Sequence, residues 1–228
     1  MKQIPEISSV AGWQSVPIHE CHERLVPSSI LHPSRILVSP HYYLSGIEGA
    51  VDDCYIRESV AEMLIRASMN LSCDYRLVIL DAWRPISVQR SLFDGFKHKL
   101  AVENPSLNED ELIKIVLKYV SLPSTDPTKP SPHNTGGSVD VSIIGPTGDF
   151  LDMGTGFDNF TPRASTRYFE GNGCSTNVRD NRRLLYHVMT EAGFTNYDEE
   201  WWHYDYGTQF WGRITGRNAL YGGLDSFK

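Results

Sequence analysis

Two short stretches of this 228-residue chain carry side chains that can do chemistry together. The first is Ser131-Pro132-His133-Asn134-Thr135-Gly136-Gly137-Ser138-Val139-Asp140, in which a histidine and an aspartate stand seven positions apart. The two glycines between them permit a tight turn and close backbone approach. The second is Glu200-Trp201-Trp202-His203, another histidine with a carboxylate three positions earlier. Two histidines and one aspartate fill three positions of a tetrahedral zinc and leave the fourth open. A zinc so held lowers the pKa of bound water toward about 7. A carboxylate beside it can then act as general base and pass the proton on to a leaving amine. Glu200 is the natural candidate and Glu199 its rival. Residues three apart on a regular strand face opposite sides, so Glu200 and His203 share a site only if the strand begins after Glu200 or carries a bulge.

Arg84 is the third element. It follows a short apolar run and precedes Pro85, a rigid position from which a guanidinium can stabilise the oxyanion of a tetrahedral intermediate. Taken singly, each residue has an ordinary structural reading. His133 would be a loop histidine, His203 a core histidine between aromatics, Asp140 a turn residue and Arg84 an ion-pair partner of Asp81. Their joint occurrence is what favours chemistry. The remaining histidines, at 19, 22, 32, 41, 98 and 187, read as structural or surface residues.

These side chains need elements to hold them. Val60, Met63, Leu64, Ala67 and Leu71 recur at helical spacing and predict a helix over 57–71. The run Leu77–Leu80 predicts a buried strand over 75–81, ending just before Arg84. Pro85 suits the first turn of a second helix, with Val88, Leu92, Phe96 and Leu100 on one face. Asn108 and Glu111 form a capping-box pattern for a third. Residues 121–136 read as a proline-rich loop. In 138–144, Val139, Val141 and Ile143 alternate with Ser138, Asp140 and Ser142, a strand that turns Asp140 away from its apolar face. A Gly-rich segment spans 145–173, longer than a structureless loop usually runs. A helix over 181–192, stopped by Gly193, and a strand over 202–206 complete the chain. Residues 1–50 lack sustained periodicity and predict irregular structure with short strands wrapped over the core. Helices and hairpin-like strands without βαβ alternation predict an α+β fold, and the length fits a single compact domain over 1–228.

Composition narrows the partners. Lys plus Arg number 21 against 28 Asp plus Glu, a net charge of −7, which argues against nucleic-acid binding and offers no basic patch for an anionic membrane. No apolar run approaches the roughly 20 residues of a membrane span. The first residues, Met1-Lys2-Gln3-Ile4-Pro5-Glu6, have no apolar signal core, so a cytoplasmic protein is expected. Cys21, Cys54, Cys73 and Cys174 form no C-x-x-C pair and read as reduced thiols. Nothing in the sequence specifies an oligomeric state.

The pattern Ser131-x-His133-x-x-Gly136-x-Ser138-x-Asp140 resembles the zinc signature of the D-alanyl-D-alanine dipeptidases, a branch of the zinc D,D-peptidases. That family usually has Ala where this chain has Ser138, a change expected to affect packing beside the metal more than ligation. Glu200-Trp201-Trp202-His203 is similar to the family's second signature, and Asp81-Ala82-Trp83-Arg84-Pro85 to its arginine segment. Asp152-Met153-Gly154-Thr155-x-Phe157-Asp158 and Cys54-Tyr55-Ile56-Arg57 also resemble family segments, so the likeness runs from about residue 54 to 211. Residues 1–40 match least. The resemblance implies a small α+β domain with a mostly antiparallel sheet flanked by helices. It implies one zinc on His133, Asp140 and His203, with Glu200 as general base and Arg84 as transition-state stabiliser. It further implies Asp158 at the substrate's ammonium, Ser131 at a substrate end, and a free dipeptide as substrate, with 145–173 helping to close the cavity. Two alternatives stand beside it: a D,D- or L,D-carboxypeptidase or endopeptidase acting on peptidoglycan, and a zinc-binding module that docks a partner without catalysis.

Overall fold

A computed structural model describes residues 1–171 and 174–226. In chain order its strands are β1 (Leu25–Pro27), β2 (Ile36–Val38), β3 (Tyr55–Arg57), β4 (Arg76–Asp81), β5 (Ser138–Ile144), β6 (Thr195–Asn196) and β7 (His203–Asp205). The helices are α1 (His41–Leu44), α2 (Glu58–Asn70), α3 (Ile86–Glu103), α4 (Glu109–Tyr119), α5 (Thr176–Ala192) and α6 (Gln209–Thr215). The central sheet has the order β2-β4-β5-β7-β6; β2 runs parallel to β4 and every other pair is antiparallel. β1 and β3 form a separate two-stranded ribbon. This is the expected α+β architecture with a mostly antiparallel sheet. No helix among the described residues is long and apolar enough to cross a membrane.

The sheet, α2 and α5 share one core. Val60, Leu64 and Ala67 of α2, Leu77 and Ile79 of β4, the alternating Val139, Val141 and Ile143 of β5, and Leu185 and Met189 of α5 are all buried in it. Each of these apart from Ala67 adds roughly 1.5–3 kcal/mol of transfer free energy, enough together to fix the register of β5. A smaller cluster joins α3 to α4 through Phe93, Val116 and Val120. The capping box of α4 forms as its sequence predicts: the Asn108 side chain accepts from the Glu111 amide, and the Glu111 carboxylate accepts from the Asn108 amide.

Three element boundaries differ from expectation. Pro85 stands just before α3 rather than within its first turn. α5 starts five residues before position 181, at Thr176, because Ser175 caps it by accepting from the Val178 amide. Its first turn is polar apart from Val178, so apolar periodicity does not report it. The last long strand shrinks to His203–Asp205, since Trp201 and Trp202 lie in a turn. The segment 145–173 carries two short 3-10 turns, Pro162–Ala164 and Tyr168–Glu170, and its expected end at 173 lies outside the described residues. Arg182 of α5 organises it: its guanidinium donates to the carbonyls of Met153, Arg163 and Ser165. The four cysteines are not joined in disulfides.

Residues 1–50 wrap the core with short elements. They are tied down by Arg57 at the end of β3, which is 1% exposed. Its guanidinium donates to the carbonyls of Thr135, Glu23 and Gly222 and meets the Glu20 carboxylate at 3.3 Å. One buried cation thus joins the N-terminal segment, the turn that carries His133 and the C-terminal residues.

Candidate active site

Three neighbouring strands put a row of polar residues at one end of the sheet. Asp81 of β4 pairs with Asp140 of β5, and Asp140 pairs with His203 of β7. The β4–β5 register shifts between Ile79 and Asp81. Such an irregularity re-aims side chains at a strand end. His133 reaches the row from a 3-10 turn, Pro132–Thr135, which Gly136 closes in the left-handed conformation at φ 73°. A Cβ at Gly136 would collide with Leu25, so glycine is required there both for conformation and for space.

The ligand atoms fit a metal. His133 Nε2 lies 3.1 Å from His203 Nδ1 and 3.4 Å from Asp140 Oδ1, and His203 Nδ1 lies 3.2 Å from that oxygen. Zinc bonds of about 2.0–2.1 Å at tetrahedral angles put neighbouring ligand atoms about 3.3–3.4 Å apart. The ring orientations point the same way. His133 Nδ1 faces the Ala82 carbonyl at 2.8 Å and Asp81 Oδ2 at 3.1 Å, so it carries the proton and Nε2 presents its lone pair. His203 Nε2 faces Asp205 Oδ2 at 3.0 Å, which places a proton on that nitrogen and leaves Nδ1 as the one turned to the metal position. The two near-side ring nitrogens and the Asp140 carboxylate converge on one point, an arrangement that a bound cation would satisfy. His133, Asp140 and His203 form the one such group found among the described residues.

Glu200 lies in the turn before β7, where the strand-face objection does not apply. Its Oε2 stands 3.9 Å from His203 Nδ1. Glu199 turns away to Lys118 Nζ at 2.9 Å. Burial pushes the Glu200 carboxyl well above its ordinary value, the His203 charge opposes this, and Asp140 and Asp158 add to it. Burial would also raise Asp140, but His133 and then His203 outweigh it and hold that carboxyl far below the usual range.

Arg84 is both an ion-pair partner and a wall of the cleft. Its Nε and Nη2 donate to Asp81 Oδ2 at 3.0 and 2.6 Å, and its Nη1 donates to Gln89 Oε1 at 2.8 Å. The guanidinium lies 4.8 Å from the centre of the Tyr42 ring. Burial alone would lower its pKa, but Asp81 outweighs that and it stays charged. Asp158 adopts a left-handed φ of 57°, a strained position for a non-glycine residue. Its Oδ2 accepts from the Tyr42 hydroxyl at 2.8 Å. Burial, with the Asp140 charge behind it, pushes the Asp158 carboxyl up to about 7. The cleft itself is about 1120 Å³, and Tyr42, Arg84, His133, Asp140, Asp158, Glu200 and His203 all line it. Ser131 is buried at the start of the His133 turn and is not part of that lining.

A family model described as D-ala-D-ala dipeptidase matches residues 48–216. The chain belongs to that family. As a D-ala-D-ala dipeptidase family member it is a zinc metallopeptidase. It is 24% identical over 218 residues to a D-alanyl-D-alanine dipeptidase of Synechocystis sp., covering 87% of this chain and 88% of that protein. It is 29% identical over 150 residues to one from Enterococcus faecium, covering 64% and 69%, and 31% identical over 130 residues to one from Escherichia coli, covering 57% and 54%. Among solved structures, it matches a vancomycin-resistance D,D-dipeptidase in complex with a D-Ala-D-Ala phosphinate analogue at 18% identity and a TM-score of 0.43, covering 90% of this chain and 65% of that one. An LD-carboxypeptidase matches at 14% and 0.45, covering 96% and 90%.

Sequence reasoning on this family member missed three residues of the site. Tyr42 sits in a segment with no periodic signal, and only tertiary packing brings it between Arg84 and Asp158. Gln89 lies one turn into α3, and its side chain spans from Arg84 to the Ser121 carbonyl. Asp205 was detectable, because positions 203 and 205 of a strand face the same side.

Proposed function

We propose that the chain hydrolyses free D-alanyl-D-alanine to two molecules of D-alanine, with one zinc held by His133, Asp140 and His203. The observation that carries this reading is the pair of imidazoles whose near nitrogens converge with Asp140 on one point while their far nitrogens face oxygen acceptors, with the Glu200 carboxyl beside them. When bound, the zinc polarises the scissile carbonyl and lowers the pKa of water next to it.

The protein's own groups do the rest. Glu200 takes a proton from the attacking water as its oxygen bonds to the carbonyl carbon. It then delivers that proton to the amide nitrogen as the C–N bond breaks. The buried surroundings that raise its pKa suit a carboxyl that must hold a proton between the two steps. Arg84, fixed by Asp81 and Gln89 before substrate arrives, faces the negative charge that develops on the carbonyl oxygen. Asp158 receives the substrate's free ammonium, whose charge draws the carboxyl back to its ionised form. Ser131 contributes to holding a substrate end through the turn it starts, rather than from the cleft wall.

A second reading is favoured by the size of the cleft, which extends past the catalytic groups to residues 7–14 and to α3 and leaves room beside a dipeptide. On that reading the enzyme trims D-alanine from longer peptidoglycan peptides. The deciding assay is D-alanine release from the free dipeptide and from a pentapeptide ending in D-Ala-D-Ala, each with and without prior chelation. The dipeptide is expected to be the better substrate, and chelation to abolish its cleavage. Turnover that survives complete metal removal would end the proposed mechanism.

A further inference from the structure

Ser138, two residues before Asp140 on β5, makes a specific contact. Ser138 is fully buried, and its hydroxyl donates to Asp205 Oδ1 at 2.6 Å. Thr208 donates to the same oxygen at 2.9 Å. The other carboxylate oxygen, Oδ2, accepts from His203 Nε2 at 3.0 Å. Ser138 and Asp205 are direct partners across the β5–β7 ladder, and Thr208 is the N-cap of α6. The hydroxyl therefore does more than adjust packing. Asp205 is 1% exposed, and the Ser138 and Thr208 hydroxyls both donate to its Oδ1.

We infer that Asp205, fixed by Ser138 and Thr208, is a positioning residue for the metal: it locks His203 in the tautomer that offers Nδ1 and so sets how tightly the zinc is kept. The inference rests on the metal reading above. A buried carboxylate opposite the far nitrogen of a ligating imidazole fixes ring orientation and raises ligand basicity. Left with free lone pairs, that carboxylate could rotate away from His203. Two hydroxyl donors on Oδ1 remove that freedom, and they come from different elements, β5 and α6, so they hold it from both sides. Ser138 also places this control on the strand that supplies Asp140, which couples two of the three ligands.

The test is zinc affinity by competition with a chromophoric chelator, with melting temperature measured alongside. Asp205→Asn is expected to weaken zinc binding about 10- to 100-fold, with a smaller loss of the same sign in Ser138→Ala. In the zinc-loaded protein the His203 Nε2–H proton should give a protected downfield NMR signal, which Asp205→Asn moves upfield. A merely structural Asp205 would shift the melting temperature and leave zinc affinity unchanged, and that result overturns the inference. If Asp205→Asn fails to fold, Ser138→Ala decides: it removes one hydroxyl, and an unaltered zinc affinity overturns the inference. An unmutated chain that binds no zinc would sink the metal reading itself. Zinc binding that is insensitive to both substitutions sinks only this one.

Discussion

Replacing Arg84 by Met separates what this side chain does for the fold from what it does for the reaction. In the fold, Arg84 donates twice to Asp81 and once to Gln89, all three groups being buried. Removing one member of a buried ion pair costs about 3–5 kcal/mol. Asp81 keeps one partner, His133 Nδ1 at 3.1 Å, so the lower end, about 3 kcal/mol, is expected. For a chain of this size that is a fall of roughly 6–12 °C in Tm. In the reaction, losing one preorganised charge at the oxyanion costs about 2.7–4 kcal/mol, or roughly 10²–10³ in kcat. The assay is steady-state D-alanine release, corrected for bound zinc so that only loaded, folded enzyme is counted. Arg84→Lys should recover little, because one ammonium cannot engage Asp81 and Gln89 together as the planar guanidinium does. A change confined to KM, with kcat intact, would refute the transition-state role and make Arg84 a ground-state binding residue.

Glu200→Gln should bind zinc as the unaltered chain does and lose about 10²–10⁴ in turnover; metal analysis and the D-alanine assay on one sample check both, and an unaltered chain with zinc but no turnover would favour a non-catalytic module. Arg182→Met deprives the carbonyls of Met153, Arg163 and Ser165 of their donor. It should raise KM through the Asp158 segment and lower stability by about 3 kcal/mol, read by chemical denaturation; an unchanged KM would detach Arg182 from substrate binding. Burial alone would raise the Glu170 carboxyl, but Arg183 and the Ile4 amide outweigh it and hold it below 4.5. The folded-state pKa is lowered, so this stabilisation is present above the unfolded value and fades as pH falls through the folded one. Arg183→Met should therefore lower stability at neutral and alkaline pH, change it least at the acid extreme, and so flatten the acid limb of a stability-versus-pH curve; an unchanged acid limb would detach Glu170 from that pH dependence.

What the sequence discloses about this site follows from how local each signal is. β5 is legible because the six positions 138–143 alternate, with Val139, Val141 and Ile143 buried in the main core. His133, Asp140, Glu200 and His203 declare themselves because glycines and aromatics at fixed spacing flank them. The choice between Glu200 and Glu199 was not available locally. It depends on where β7 begins, and on Lys118 of α4 drawing Glu199 outward. Tyr42 and Gln89 are silent for the same reason, since each acts through a contact with a residue far away or on another element. The fold class was legible from the absence of βαβ alternation. The early start of α5 was not, because a capped polar turn leaves no apolar rhythm to detect.

The clamp at Arg57 has a consequence for how the site is assembled. Glu20, Glu23, Thr135 and Gly222 are far apart in sequence, yet one guanidinium gathers them. Order in the His133 turn is therefore set by the tertiary fold as a whole rather than by the conformational preference of the turn itself.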